Sequence, residues 1–223
     1  MNIFKNTKLT DFDYERYWKE RDVEIRKKLL DRERLFFHWI KPESRVLDVA
    51  AGNSLLPRVL KEQKQCAVSI FDISERVLAA QKSNGIHGER VDLSAGDFSL
   101  NKEYDYVILS EILEHLPLPE TVIKKVAPHT KYLVISIPNS AFYRFRAQVA
   151  LGGRFMRQWV THPSEHLRFW SHTDFLDWLS VFGLEVVEAT ASNGLDIGPV
   201  KFYRWLPNLF GHQMAYLCKK KAI

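Results

Sequence analysis

Cysteine is nearly absent from this chain. Cys66 and Cys218 are its two, far apart and in no metal-binding or redox spacing. That argues against a disulfide framework, and two reduced thiols fit a reducing compartment. Long apolar runs are absent too. None approaches the ~18–20 residues that a membrane span needs. The N-terminal stretch MNIFKNTKLTDFDYER lacks the apolar centre of a secretory signal, so the expectation is a cytoplasmic protein. No internal repeat or low-complexity tract is visible. Glycine is sparse at one telling place, a small-residue turn that holds only Gly52.

What is present is the composition of a globular domain. Hydrophobic residues make up 46% of 223 positions, enough for the core of one α/β domain with additions. The charge is unevenly spread. Residues 45–137 are slightly acidic, whereas residues 138–223 carry 10 Lys/Arg against 6 Asp/Glu. A solvated surface or a site for an anionic small molecule would both produce that excess.

Apolar periodicity divides the chain. Asp13 to Phe37 reads as a charged amphipathic helical stretch, with Tyr14, Tyr17, Trp18 and Val23 on its apolar side. Strands are expected at Arg45–Val49, Ala67–Asp72, Gly88–Asp92, Tyr104–Leu109 and Lys131–Ile137. Helices fall between them, from about Asn53 to Lys64 with Pro57 in the first turns, from the Ser74 cap to about Ser83, and from about Leu118. This alternation predicts a parallel, doubly wound sheet. A further helix is expected at His172–Phe182, and an antiparallel closing pair at Leu184–Thr190 and Gln213–Lys219. The whole reads as one domain: residues 1–41 a helical cap, 42–137 a nucleotide-binding half, and 138–223 a substrate-side half with an insert at 139–170.

The run VLDVAAGNSLL, Val46 to Leu56, ends a strand in Asp48, turns through small residues and starts a helix. Such a unit brings backbone close to a ligand. A carboxylate at Asp48 would repel pyrophosphate and attract a cation. Asp72 and Asp97 also follow likely strands, so the sheet rim carries negative field. This suits a ligand bearing sulfonium and ammonium groups. A dinucleotide fingerprint would need glycine where Leu55 stands.

On these residues the chain resembles the class I S-adenosylmethionine (SAM)-dependent methyltransferases. Their loop reads D-x-G-x-G-x-G; here it reads Asp48-x-Ala50-x-Gly52-x-Ser54, with two departures to small residues. The resemblance implies a three-layer Rossmann-like fold with a mostly parallel seven-stranded sheet and an antiparallel last strand. It implies that Asp48, Val49, Ala50, Ala51, Gly52 and Asn53 surround the methionine moiety. Asp72 with Ile73 would meet the ribose, Asp97-Phe98 the adenine, and Ser110 the ligand at the end of the fourth strand. Two vicinal hydroxyls suit a carboxylate, and an aromatic ring gives adenine a flat wall. Trp18 is expected to contact the cofactor, with Tyr14 and Tyr17 folding over it. The same aromatics would equally fasten the helix to the sheet. IPNSAFYRFRAQVALGGRF and EHLRFW look like the MetW-like branch associated with methionine biosynthesis and surface-polysaccharide gene sets.

A second constellation is Glu111, Glu114, His115 and the later His166. The first three stand at i, i+3 and i+4, one side of a helical turn. E-x-x-E-H with a distant histidine is similar to metal-dependent 2′-O-methyltransferases of small RNAs and to ubiquinone-pathway O-methyltransferases. That likeness implies a divalent ion held against acceptor hydroxyls. Metal-free relatives carry Glu-His here as well, so His115 stands either as the general base or as a packing residue. Tyr143, Arg144, Arg146, Arg154 and Arg157 are candidates for the acceptor site, because arginine suits phosphate or carboxylate.

Three functions are compatible with this reading. One is O- or N-methylation of a small anionic metabolite or a nucleotide-sugar-type acceptor. The second is a MetW-like non-catalytic partner of a biosynthetic acyltransferase, and the third a metal-dependent RNA methyltransferase. The chain shows no broad basic face or extra module of the kind a nucleic-acid enzyme carries. A homodimer or a biosynthetic enzyme partner stays open, as does a role for the apolar stretch Leu195–Phe210 in covering substrate, meeting a partner or touching a membrane.

Overall fold

The computed structural model describes residues 14–20, 23–155 and 165–221. Strands buried on both faces build its centre, as the continuous burial of β1, β4 and β5 shows. The strands are β1 (Arg45–Val49), β2 (Ala67–Asp72), β3 (His87–Arg90), β4 (Tyr104–Ser110), β5 (Thr130–Pro138) and β6 (Leu184–Gly194). A short hairpin, β7 (Asp196–Ile197) and β8 (Val200–Lys201), precedes β9 (Gly211–Lys220). Seven strands form one sheet in the order β3-β2-β1-β4-β5-β9-β6. The first five run parallel, and β9 lies antiparallel between β5 and β6. This is the doubly wound sheet with a reversed last strand that the alternation predicts.

Alternate residues of the strands serve different layers. Leu47, Val49, Val107, Leu109, Leu133 and Ile135 face one side, against α5 (Pro119–Val126) and α7 (His172–Val181). Val46, Ile108 and Val134 face the other, against α2 (Asp31–Trp39) and α3 (Leu56–Lys64). Phe36 of α2 is fully buried there, which contributes about 1.5–3 kcal/mol. Asp48 shares parity with Val46, so its side chain emerges on the α2 side. The remaining helices are α1 (Tyr14–Glu20), α4 (Glu75–Ser83), α6 (Tyr143–Gly152) and α8 (Pro207–Phe210).

The long helix expected from Asp13 to Phe37 is instead two, α1 and α2, with a non-helical, bent segment over residues 23–30. The reason is local. Arg26 N donates to Asn53 O at 3.0 Å, and Leu30 N donates to the Glu33 carboxylate at 2.8 Å. Amides that a continuous helix would consume internally are used to bind the loop after β1 and to cap α2. Asp13 itself lies outside the described residues. The closing strands β6 and β9 run longer than their apolar periodicity suggests, because bulges in their pairing let β6 continue to Gly194. No helix among the described residues is long and apolar enough to cross a membrane.

Candidate functional site

A crevice of about 290 Å³ opens at the carboxyl ends of β1, β2 and β4, where open α/β sheets bind ligands. The loop after β1 forms its floor. Ala50 at φ 58° and Gly52 at φ 54° both adopt left-handed backbone. Ala50 therefore takes the conformation that the missing glycine of the motif would supply, at a cost of about 1–2 kcal/mol. At Gly52 a Cβ would come 3.2 Å from the Trp18 ring, so the remaining glycine also leaves room for α1 to close over the loop.

Asp48 is buried. Burial, followed by Glu33 and Asp72, pushes its carboxyl well above the ordinary range, while Arg26 and Arg32 pull the other way. Asp72 closes β2. Its carboxylate accepts from Gly52 N at 3.0 Å and from Ser74 N at 2.9 Å, which ties the ends of β1 and β2 together. Ala51, Asn53, Ile73 and Ser110 also line the crevice, and Tyr14, Tyr17 and Trp18 form its roof. The floor, the ribose-side carboxylate and the aromatic cover expected from sequence thus come together.

Three expected residues do not join them. Val49 points into the core and is fully buried, because its parity is opposite to that of Asp48. Asp97 is exposed, and Phe98 is buried in the core beneath Lys125. The chain reaches the crevice earlier than the motif suggests. Val91 N bonds Asp72 O at 3.0 Å, and Asp92 accepts from Ser94 N at 2.8 Å. This turn places Val91, Asp92, Leu93 and Ser94 on the wall in place of the Asp97-Phe98 pair. The strand-end rule pointed to the loop that lines the crevice, with Asp92 and not Asp97 on its wall.

The far end of the crevice is formed after β4. Glu111 has left-handed φ of 52°, and with His115 it lines the crevice. Glu114 and His166 stand behind. Glu114 is 1% exposed, and among the described residues neither of its carboxylate oxygens has a hydrogen-bond partner; Nδ1 of His166 is equally without one. The His115 and His166 rings meet edge to face at 4.6 Å. His115 Nδ1 lies 2.6 Å from Glu165 O. A carbonyl only accepts, so Nδ1 carries the proton and Nε2 presents a lone pair. That Nε2 is 3.9 Å from Glu114 Oε1. Ligand atoms of Glu114, His115 and His166 all lie within 4.8 Å of one another.

Glu111, expected in the same set, stands apart from it. Its Oε2 accepts from Gln213 Nε2 at 3.1 Å. Burial raises the Glu111 carboxyl, against Arg32, Ser136 and Gln213. Burial and then Glu111 raise Glu114 well above the usual carboxylate range. Burial, then His166, lower His115 to about 4, so it is a neutral, weakly basic imidazole at pH 7.

Sequence reasoning missed the crevice's arginines. Arg26 and Arg32 line it, and Arg32 Nε donates to Ser110 Oγ at 3.0 Å. Their clue was position: both precede β1 in the segment read as a plain helical cap. Tyr143, Arg144, Arg146 and Arg154 lie on α6 or just beyond it. None lines the crevice, and Arg146 is tied to Ala141 O and Asn208 O. Arg157 lies outside the described residues.

Comparison with known proteins fits this geometry. A solved SAM-dependent methyltransferase from Thermotoga maritima superposes with a TM-score of 0.61 at 15% identity, covering 93% of this chain and 95% of that one. The magnesium protoporphyrin IX methyltransferase of Synechocystis PCC 6803, solved with bound S-adenosylhomocysteine (SAH), gives 0.54 at 18% identity over 98% and 91%. The fold is therefore the Rossmann-like methyltransferase fold. The ubiquinone biosynthesis O-methyltransferase of Pseudomonas savastanoi pv. phaseolicola (strain 1448A / Race 6) is 30% identical over 118 residues, 48% of this chain and 50% of that protein. The chain thus spans about half the length of that curated relative. The sequence model of methionine biosynthesis protein MetW matches residues 31–218, from the first residue of α2 into β9. With most of its length inside that match, the chain belongs to the MetW family.

Proposed function

We propose that the protein is a SAM-dependent methyltransferase that methylates a hydroxyl of a small, anionic acceptor. The carrying observation is one crevice with Asp48, Asp72 and Gly52 at one end and His115 and Glu111 at the other. The cofactor fits on chemical grounds. A sulfonium or ammonium beside Asp48 would relieve a buried carboxyl whose charged form is disfavoured. Asp72 offers a carboxylate to vicinal hydroxyls, and the aromatic roof excludes water from the transfer. SAM supplies an activated methyl carbon for in-line displacement. The protein's task is alignment, which can contribute ~7–11 kcal/mol.

The Glu/His cluster supports a finer reading. A base with a pKa of about 4 is far from the neutral value that general-base catalysis favours. A neutral imidazole with Nδ1 anchored on a carbonyl is well suited to ligate a metal through Nε2. The unpartnered Glu114 oxygens and His166 Nδ1 fit a divalent ion held by Glu114, His115 and His166. Two nitrogens and one carboxylate favour Zn²⁺ or another transition metal over Mg²⁺. Such an ion would act as a Lewis acid on the acceptor hydroxyl. Arg32, beside Ser110, is the crevice cation available to an acceptor's negative group. The likeness to an O-methyltransferase of ubiquinone biosynthesis supports oxygen as the atom methylated.

Calorimetry with SAH and turnover of SAM against hydroxylated small acceptors, with and without chelator, test this reading. SAH binding with chelator-sensitive turnover is expected. Binding without turnover on any acceptor would favour a non-catalytic biosynthetic partner. No binding would remove the cofactor reading, and turnover indifferent to chelator would leave the Glu/His cluster structural.

A further inference from the structure

The structure assigns Glu33, Ser54 and Arg26 as positioning residues that hold the loop after β1 in its ligand-ready shape, in place of the glycines that loop lacks. This inference rests on the cofactor reading above.

The bracing acts from two sides. Gln81 of α4, fully buried, donates its amide to Gly52 O at 3.0 Å and to Ser54 O at 2.9 Å. From the opposite side, Ser54 Oγ donates to Glu33 Oε1 at 2.7 Å. Ser54 occupies the place of the last motif glycine, so the departure supplies a hydroxyl that glycine does not have. Glu33 is 3% exposed and accepts also from Leu30 N and from the Arg26 guanidinium. Arg26 in turn donates Nη1 to Asn53 Oδ1 at 2.7 Å and its backbone amide to Asn53 O at 3.0 Å.

A glycine-rich loop moulds itself to a ligand by conformational freedom, and that freedom is lost on binding. Here the freedom is removed in advance. Ala50 and Gly52 hold left-handed backbone while their neighbours are hydrogen-bonded on both sides. Two of the bracing groups, Glu33 and Arg26, come from α2 and the segment before it, outside the strand–loop–helix unit. Docking of that segment therefore sets the loop's competence to bind. On the cofactor reading the braced side chains of Asn53 and Ser54 stand by the amino-acid tail, whereas Asp72 holds the loop one residue earlier, through Gly52 N.

The test compares two probes on the full chain. SAH carries the amino-acid tail, and 5′-methylthioadenosine shares the nucleoside thioether without it. Ser54→Ala and Glu33→Gln are each expected to weaken SAH about tenfold, the loss of roughly one buried hydrogen bond to a charged group, and to leave methylthioadenosine within about twofold. The double variant is expected to lose less than the sum of the singles, because the Ser54–Glu33 bond is shared by both substitutions. Ser54→Ala removes a single oxygen, so it keeps the test valid should Glu33→Gln fold poorly. Equal losses for both probes, or fully additive singles, would overturn the positioning role while leaving the cofactor reading intact. Failure of wild-type protein to bind either probe would overturn both.

Discussion

The two ends of β4 carry carboxylates in opposite circumstances. At its amino end, Asp105 accepts from Arg45 N at 2.8 Å and pairs with Lys131 Nζ at 2.7 Å. These partners hold its carboxyl below the ordinary range. At the carboxyl end, Glu111 and Glu114 are raised by burial, and three of their four carboxylate oxygens lack hydrogen-bond partners among the described residues. One strand thus has a satisfied end and an unsatisfied end. Buried polar groups left unpaired cost stability, so the difference separates an end that stabilises the fold from one that does not.

The largest effect should come from the unsatisfied end. Zn²⁺ at one hundred times its dissociation constant is expected to stabilise the wild-type protein by about 2.7 kcal/mol. Glu114→Gln and His166→Ala should each abolish that increase in thermal melts. A shift retained in both variants would show the orphaned groups to be unrelated to metal. Next is Asp72→Ala, expected to weaken SAH by ~1–3 kcal/mol in calorimetry through lost hydrogen bonds. Unchanged affinity would rule out the ribose role. Gly52→Ala is expected to weaken SAH by about 1 kcal/mol or more, since the left-handed backbone and the Trp18 ring both oppose a Cβ.

The smallest effect tests the satisfied end. Asp105→Asn should lower stability by about 1 kcal/mol at pH 7 without altering SAH affinity. A depressed carboxyl contributes stability that is present above its unfolded pKa and lost as pH falls through the folded value. The stability gap between wild type and variant should therefore close below about pH 4. A gap that persists in acid would mean that Asp105 acts by packing.

The sheet was legible because its central strands are short apolar runs buried on both faces and their intervening segments carry helix caps, as at Ser74, whose side chain accepts from Val77 N. Asp48, Asp72 and His115 were legible because each stands at a fixed offset from a strand end. Position along the chain says less about groups that arrive from elsewhere. Arg26, Arg32 and Glu33 reach the crevice from a segment whose charge pattern reads as a solvated helix, and only tertiary packing turns it inward. Asp97 misled for the converse reason. The loop after β3 holds two aspartates, Asp92 and Asp97, and sequence alone does not tell which one the chain turns toward the crevice. Glu111 and Glu114 share a helical side on paper. The left-handed φ of Glu111 breaks that geometry and sends its carboxylate to Gln213.

The position of β9 has a consequence for how the molecule is assembled. It is the last strand, yet it lies between β5 and β6. Until it arrives, β5 offers an open edge, and β6 has no neighbour with which to form ladder hydrogen bonds. Completion of the sheet therefore depends on a late, long-range insertion, which topology makes slow. A chain emerging from the ribosome would bury β1 to β5 first and hold an unfilled slot beside β5 until residues 211–220 are made. Truncation upstream of Gly211 would remove an interior strand, so loss of that short tail should unfold far more than its own length.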